Sequence, residues 1–185
     1  MSQWKLFGGF WQELKKEQRK NIIIDNEEAV SLDYSQMAPR ILYGLCGTRP
    51  TTEDCYSVPG YERHRSGIKK VFNAMTFAEK PMTKYPKGVK QMFKEGIRFQ
   101  EVSYAIQRYH SGIAHKFYVG IGHYLQYLES QILIKVLLRL KDLGIHALPI
   151  HDAVLVGKAW VDMSRELMEQ VFLDMTNLES WVQVE

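Results

Sequence analysis

The chain has 185 residues, 45 % hydrophobic and 24 % charged, with a formal net charge of +3. That is ordinary globular composition for one domain, or for one domain with an inserted lobe, and it excludes disordered and fibrous classes. The mild positive balance suits a polyanionic partner without requiring one.

Residues 1–20 are aromatic, then basic: Phe7, Phe10 and Trp11 lead into Lys15, Lys16, Arg19 and Lys20. They hold no apolar core of signal-peptide length. Two β-prone runs, Asn21–Ile24 and Ala29–Leu32, flank the polar Asp25–Glu28 and predict a hairpin whose second strand ends at Asp33. Ser35 is expected to cap a helix reaching Gly44, with Pro39 in its first turn. Loop residues fill 47–61, and a helix is predicted from about Glu62 to Lys80. After the breakers Pro81, Pro86 and Gly88, short helices carry basic and aromatic side chains over 89–109. A long helix is expected from about Ile113 to Leu143, interrupted near Gly120 and Gly122 and closed by Gly144. A second hairpin spans Leu148–Val156 and carries Asp152. A helix over Val161–Met175 follows, then an edge strand at Trp181–Val184. The most apolar stretch, Ile132 to Leu140, is broken by Lys135 and Arg139, so a cytoplasmic protein with no membrane contact is expected. Cys46 and Cys55 are too few for a disulfide framework and are expected to be reduced. Strands come from both ends of the chain and helices from its middle, which predicts an α+β fold with a helical insertion.

Two features carry chemistry. Asp33 and Asp152 each end a short apolar run read as a strand. Each could serve simply as a turn residue, yet carboxylates at the tips of neighbouring strands are also how proteins hold a pair of Mg²⁺ ions for phosphoryl transfer. On the helix that begins near Glu62, Arg65, Lys69, Asn73 and Phe77 fall within a stripe roughly 120° wide. Ile68, Val71, Phe72 and Met75 form a separate apolar face. Two cations a turn apart can hold the oxygens of one triphosphate, and the ring can support a base or sugar. The same spacing also fits a solvated basic face with Phe77 in the core.

The segment Asp33-Tyr34-Ser35-Gln36-Met37-Ala38-Pro39-Arg40-Ile41-Leu42 resembles the first palm motif of family-A (DNA polymerase I-like) DNA polymerases, Asp-Tyr-Ser-Gln before Ile-Glu-Leu-Arg. Arg65-x3-Lys69-x7-Phe77-Ala78 is similar to their fingers-helix motif, Arg-x3-Lys-x7-Tyr-Gly. Ile150-His151-Asp152-Ala153 resembles their Val-His-Asp-Glu motif. The three occur in the family's order across about residues 4–157, and single-subunit phage-type RNA polymerases share them. The resemblance implies a right-hand palm, a small antiparallel sheet backed by helices, at about 1–50 and 117–185. It implies a reduced helical fingers insertion at about 51–116, with no thumb or exonuclease.

The implied activity is template-dependent nucleotidyl transfer to a primer 3′-hydroxyl, releasing pyrophosphate. Asp33 and Asp152 would bind two Mg²⁺ ions, with Mn²⁺ as a substitute. Arg65 and Lys69 would contact the phosphates, and Lys69 would also protonate the leaving pyrophosphate. Tyr34, Ser35, Gln36, Ala38, Asn73 and Phe77 would line the nucleotide site. His151, Gln126 and Ser130 would lie along the primer–template, while Arg40 would make a structural ion pair. The implied partners are primer–template nucleic acid, nucleoside triphosphates and a protein supplying the thumb's grip, as for an enzyme of a phage, plasmid or other mobile element.

Departures from the motifs set the alternatives. Ala38 stands where the DNA polymerases carry a glutamate that obstructs the sugar 2′-hydroxyl, which favours RNA synthesis or priming. Asn73 replaces a frequent aromatic residue, Ala78 a glycine and Ala153 a carboxylate. A non-catalytic palm remnant and a two-metal nuclease are further readings, the second leaving the triphosphate face without a use. His110 and His115 do not share a helical face, and Gly120-x-Gly122 lacks a preceding strand, so neither marks a zinc or dinucleotide site. Lys84, Lys87, Lys90, Lys94 and Arg98, interleaved with Tyr85, Phe93 and Phe99, could track a phosphate backbone or form a solvated face. Tyr104, Tyr109 and Tyr118 are expected in core and rim packing.

Overall fold

The computed structural model describes residues 8–185 and all of their side chains except that of Lys16. Phe7, the first of the N-terminal aromatic residues, therefore lies outside the described residues. In chain order the elements are α1 (Phe10–Glu13), α2 (Lys16–Arg19), β1 (Ile23–Ile24), β2 (Glu27–Tyr34), α3 (Met37–Leu45), α4 (Arg65–Phe77), α5 (Phe99–Tyr109), α6 (Gly122–Asp142), β3 (Ala147–Ile150), β4 (Ala153–Gly157), α7 (Val161–Thr176) and β5 (Val182–Val184). Two compact units divide the chain, one of residues up to Ile41 together with Gln126–Glu185, the other Leu42–Leu125.

The first unit is an antiparallel sheet in the order β1-β2-β4-β3, with β5 also paired to β2. Two-residue turns set its hairpins. Ile24 pairs with Glu27 across Asp25 and Asn26, whose positive φ values of 53° and 65° give the backbone twist that hairpin strands prefer. The polar turn is thus two residues, and Glu27 and Glu28 belong to the strand. Period-two alternation then sorts the side chains. Leu32 lies opposite Val154, Val30 opposite Val156 and Tyr34 opposite Val182, which puts these residues on one face of the sheet. Helix α7 covers that face with buried Met168, Val171 and Phe172, and the Tyr34 hydroxyl donates to the Met168 carbonyl oxygen at 2.7 Å. Burial raises the Tyr34 pKa, which keeps this donor protonated. The other face gathers Ile150 and Leu155 with Ile22 and Ile24, and Trp11 and Leu14 pack against them. Trp11 Nε1 and Gln12 Nε2 donate to the Pro149 carbonyl at 2.9 and 3.1 Å, tying α1 to β3. β3 tolerates Pro149 because it is an edge strand.

Three boundaries differ from the sequence reading. Helix α3 starts at Met37 after left-handed Gln36 (φ 57°), and the Ser35 amide donates to the Trp181 carbonyl, so Ser35 closes the strand rather than capping the helix. A 3₁₀ turn at Glu62–His64 precedes α4, which ends at Phe77. The long helix expected from Ile113 begins only at Gly122, because Tyr118 (φ 63°) and Gly120 (φ 71°) are left-handed. Their amides donate to Met75 and Ala78 carbonyls instead of continuing a helix.

The second unit is helical. Helix α4 buries Ile68, Val71, Phe72 and Met75, the apolar face expected from its periodicity, and packs with α5 through Val102 and Ile106. Phe72 meets Tyr56, His110 and Phe117 edge-on, with ring centroids 5.1–5.8 Å apart. Cys46 and Cys55 are both free thiols. Among the described residues no helix is long and apolar enough to cross a membrane.

His110 is fully buried, and its Nδ1 shares a 2.8 Å hydrogen bond with the Tyr43 hydroxyl. Burial pushes its imidazole pKa down to about 4. An unfolded histidine titrates near 6.5, so between about pH 6.5 and 4 the unfolded chain binds a proton that the folded chain refuses. Stability should fall as the pH drops through that window. Urea denaturation at pH 7 and pH 4.5 should show a loss in the native chain exceeding that in His110→Gln by roughly 2–3 kcal/mol.

Candidate active site

The register of the first unit's sheet places the two aspartates at the same end of neighbouring strands. Asp33 pairs with Ala153 on one side and Gln183 on the other, and Ala153 in turn pairs with Ile150. Asp152 immediately precedes Ala153, in the two-residue turn His151–Asp152 that joins β3 to β4. His151 takes the left-handed conformation (φ 55°) that such a tight turn requires, and histidine tolerates it better than a β-branched residue. Alternation directs Asp33 to the face opposite Leu32 and Tyr34, away from α7. Asp33 is half-buried with its Oδ1 fully enclosed, while Asp152 and His151 are exposed. Paired Cα atoms in antiparallel strands lie about 4.5–5.5 Å apart, so a carboxylate on Asp33 and one next to Ala153 are close neighbours in the backbone.

In the second unit, α4 carries the cationic stripe. Arg65, Lys69 and Phe77 are exposed and Asn73 is half-buried, away from the buried Ile68–Met75 face. Arg65 is held in a fork by Asp54, with Nε donating to Oδ2 at 2.6 Å and Nη2 to Oδ1 at 3.1 Å. That pairing raises the Arg65 pKa further. The Tyr56 ring lies 5.5 Å from the Arg65 guanidinium and 5.8 Å from Lys69 Nζ, within cation–π range. Asp54 and Tyr56 were not marked by the sequence. They sit in the Thr51–Tyr56 loop, whose only signal is that of a turn, and the tertiary packing alone brings them to the helix.

The other expected site residues divide by exposure. Tyr34 spends both its ring and its hydroxyl in the core against Phe172 and Met168. Ser35, Gln36 and Ala38 are half-buried around the turn from β2 to α3. Gln126 is exposed on α6, and the half-buried Ser130 donates to the Tyr127 carbonyl at 2.6 Å. Arg40 is buried, donates to the Glu179 carbonyl at 3.0 Å and stacks 4.0 Å from the Trp181 ring centre. Lys84, Lys87, Lys90, Lys94 and Arg98 are all exposed, whereas Tyr85, Phe93 and Phe99 turn inward, Tyr85 stacking on Phe93 and meeting Phe99 edge-on. Those rings build the core of the segment rather than a stacking platform. Tyr104, expected in packing, is 62 % exposed.

Among the described residues no group of three or more His, Cys, Asp and Glu side chains is placed to hold a metal ion. The donor set that remains is the aspartate pair. Carboxylate oxygens are hard ligands of the kind that Mg²⁺ and Mn²⁺ take, usually one or two from protein with the rest from water and phosphate, so the chemistry of the pair fits those ions.

No protein-family model matches the sequence, and neither does any curated protein. Among solved structures the chain is similar to the polymerase domain of Pol1 from M. smegmatis, solved in complex with a DNA primer-template and dNTP. The identity is 15 % and the TM-score 0.53, and the match covers 90 % of this chain and 41 % of that one. The likeness shows the fold: a small antiparallel sheet backed by helices, as in a polymerase domain.

Gly122 has a structural reason in the second unit. The Phe77 ring lies 2.6 Å from where a Cβ on Gly122 would stand, and it meets His123 edge-on with centroids 5.2 Å apart. The exposed end of the cationic stripe is thus seated on a residue that must lack a side chain. Gly122→Ala should destabilise the chain by about 1–2 kcal/mol in thermal or urea unfolding, the overpacking outweighing the better helix propensity. In a Phe77→Ala background the same change should be neutral or stabilising.

Proposed function

We propose that this chain is a polymerase-like nucleotidyltransferase that joins a primer 3′-hydroxyl to the α-phosphorus of a nucleoside triphosphate on a nucleic-acid template. The observation that carries the reading is the sheet row in which Asp33 pairs with Ala153, next to Asp152. The polymerase-type fold supports it, and so does a helix with Arg65 and Lys69 exposed a turn apart.

In the reaction the primer hydroxyl oxygen forms the new P–O bond, the bond from the α-phosphorus to the bridging oxygen breaks, and pyrophosphate leaves. Asp33 and Asp152 would hold two Mg²⁺ ions, which would ease transfer of the hydroxyl proton to water and offset the charge of the triphosphate. Arg65 and Lys69 bind phosphate oxygens, Arg65 through its planar fork and Lys69 as a point charge that also gives a proton to the departing pyrophosphate. Asn73 and Phe77 support the sugar and base, and Ser35, Gln36 and Ala38 also serve the nucleotide. His151 lies at the primer terminus, and Gln126 and Ser130 along the primer–template. Catalysis is mostly positioning and charge stabilisation.

A second reading, RNA synthesis or priming, is favoured by one residue. Ala38, half-buried in the first turn of α3, has no side chain long enough to obstruct a 2′-hydroxyl.

Primer extension with purified protein and Mg²⁺ tests both. Asp33→Ala and Asp152→Ala should each lower extension at least a thousandfold while folding normally by circular dichroism, and undiminished activity in either would sink the assignment. Comparing dNTP with NTP incorporation on one primed template decides the sugar. Comparable rates are expected if Ala38 leaves the 2′ position open, and Ala38→Glu should then restore preference for dNTP.

A further inference from the structure

Asp54 holds the Arg65 guanidinium by its Nε–Nη2 edge, in the bidentate fork that a phosphate group also uses. The carboxylate is fixed and the arginine is the long, mobile partner. Asp54 Oδ1 accepts the Tyr56 amide at 3.0 Å, and the Asp54 carbonyl accepts the Thr52 hydroxyl at 3.2 Å and the Ser57 amide at 3.1 Å. Cys55, Tyr56 and Val58 anchor the loop from beneath, each at most 2 % exposed. Lys69, a turn away on the same stripe, has no carboxylate partner among the described residues, although the same Tyr56 ring lies near it. The two cations therefore differ: one meets solvent with its charge uncompensated, the other is already occupied by an anion.

We infer that Asp54 is an affinity-setting residue of the triphosphate site, a built-in anion that occupies Arg65 until a polyphosphate displaces it. The inference rests on the reading of α4 as the triphosphate face. It has a definite sign. A ligand that takes Arg65 must break the Asp54 fork and lie beside a carboxylate that cannot swing away, so Asp54 weakens polyphosphate binding. A residue that merely supported the loop would act in the opposite direction, because its loss would loosen the site.

The test is isothermal titration calorimetry of inorganic tripolyphosphate into the full chain at low salt. Asp54→Asn retains an oxygen for the Tyr56 amide but removes the charge, and it should tighten binding about three- to fivefold, the scale of one partly exposed ion pair. Asp54→Ser, which keeps a hydroxyl acceptor, should do the same, and thermal unfolding reports whether either variant is folded. In an Arg65→Ala background, where binding is already weaker, Asp54→Asn should change affinity less than about twofold. Unchanged or weaker binding in both folded Asp54 variants, or an equal gain without Arg65, overturns the inference alone. Failure of the native chain and the Asp54 variants to bind tripolyphosphate at all overturns the triphosphate reading of α4 and this inference with it.

Discussion

The antiparallel register of β2 on β4 is the constraint on which the first unit depends. With Leu32 opposite Val154 and Asp33 opposite Ala153, one face of β2 supplies Leu32 and Tyr34 to the α7 layer and the other presents Asp33. Because side chains alternate with a period of two, a slip of one residue would send Asp33 into the Met168–Phe172 layer and expose Leu32. Burial of the apolar face thereby enforces the position of the carboxylate. The His151–Asp152 turn adds the second aspartate at the same end, since a two-residue connection leaves no freedom in how β3 and β4 align. β2 is also the strand that meets β1, β4 and β5, so every other strand but β3 takes its register from it.

The second unit is organised around the opposite problem, keeping charge outside while a dense aromatic core holds the helix that bears it. Phe72 contacts Tyr56, His110 and Phe117, and Tyr56 in turn lies within reach of Arg65 and Lys69. One aromatic side chain thus belongs to the core and to the floor of the cationic stripe. The Asp54 fork shows that charge on this stripe is managed rather than simply displayed. A formal balance of +3 conceals such local pairing, which is why net charge alone says little about where an anion would bind.

Much of this was legible in the chain. The four-residue apolar period of α4 gave its buried face, the β-prone runs around Asp25–Asn26 gave the first hairpin, and Leu148–Val156 gave the second, because in each case a local pattern is repeated often enough to dominate. The start of α6 was not legible. The predicted helix begins at Ile113, and only the amide hydrogen bonds of Tyr118 and Gly120 to the Met75 and Ala78 carbonyls pull its first turns out of the helix. The inward turn of Tyr85, Phe93 and Phe99 was equally hidden, since alternation of basic and aromatic residues does not say which of the two faces water.

The sequence by itself determined the fold class and the order of the elements, and it marked the residues to which the proposal assigns chemistry: the aspartate pair, the two cations of α4 and the small side chain at position 38. Those follow from short-range rules, periodicity and residue type, that need no partner in space. Only the tertiary structure decided that Ala153 links Asp33 to Asp152 through strand pairing, that Arg65 is already bound by Asp54, and that Gly122 must stay bare beneath Phe77. These are contacts between residues far apart in the chain. Their existence depends on which of many compatible surfaces meet once the core has closed, and no local pattern encodes that choice.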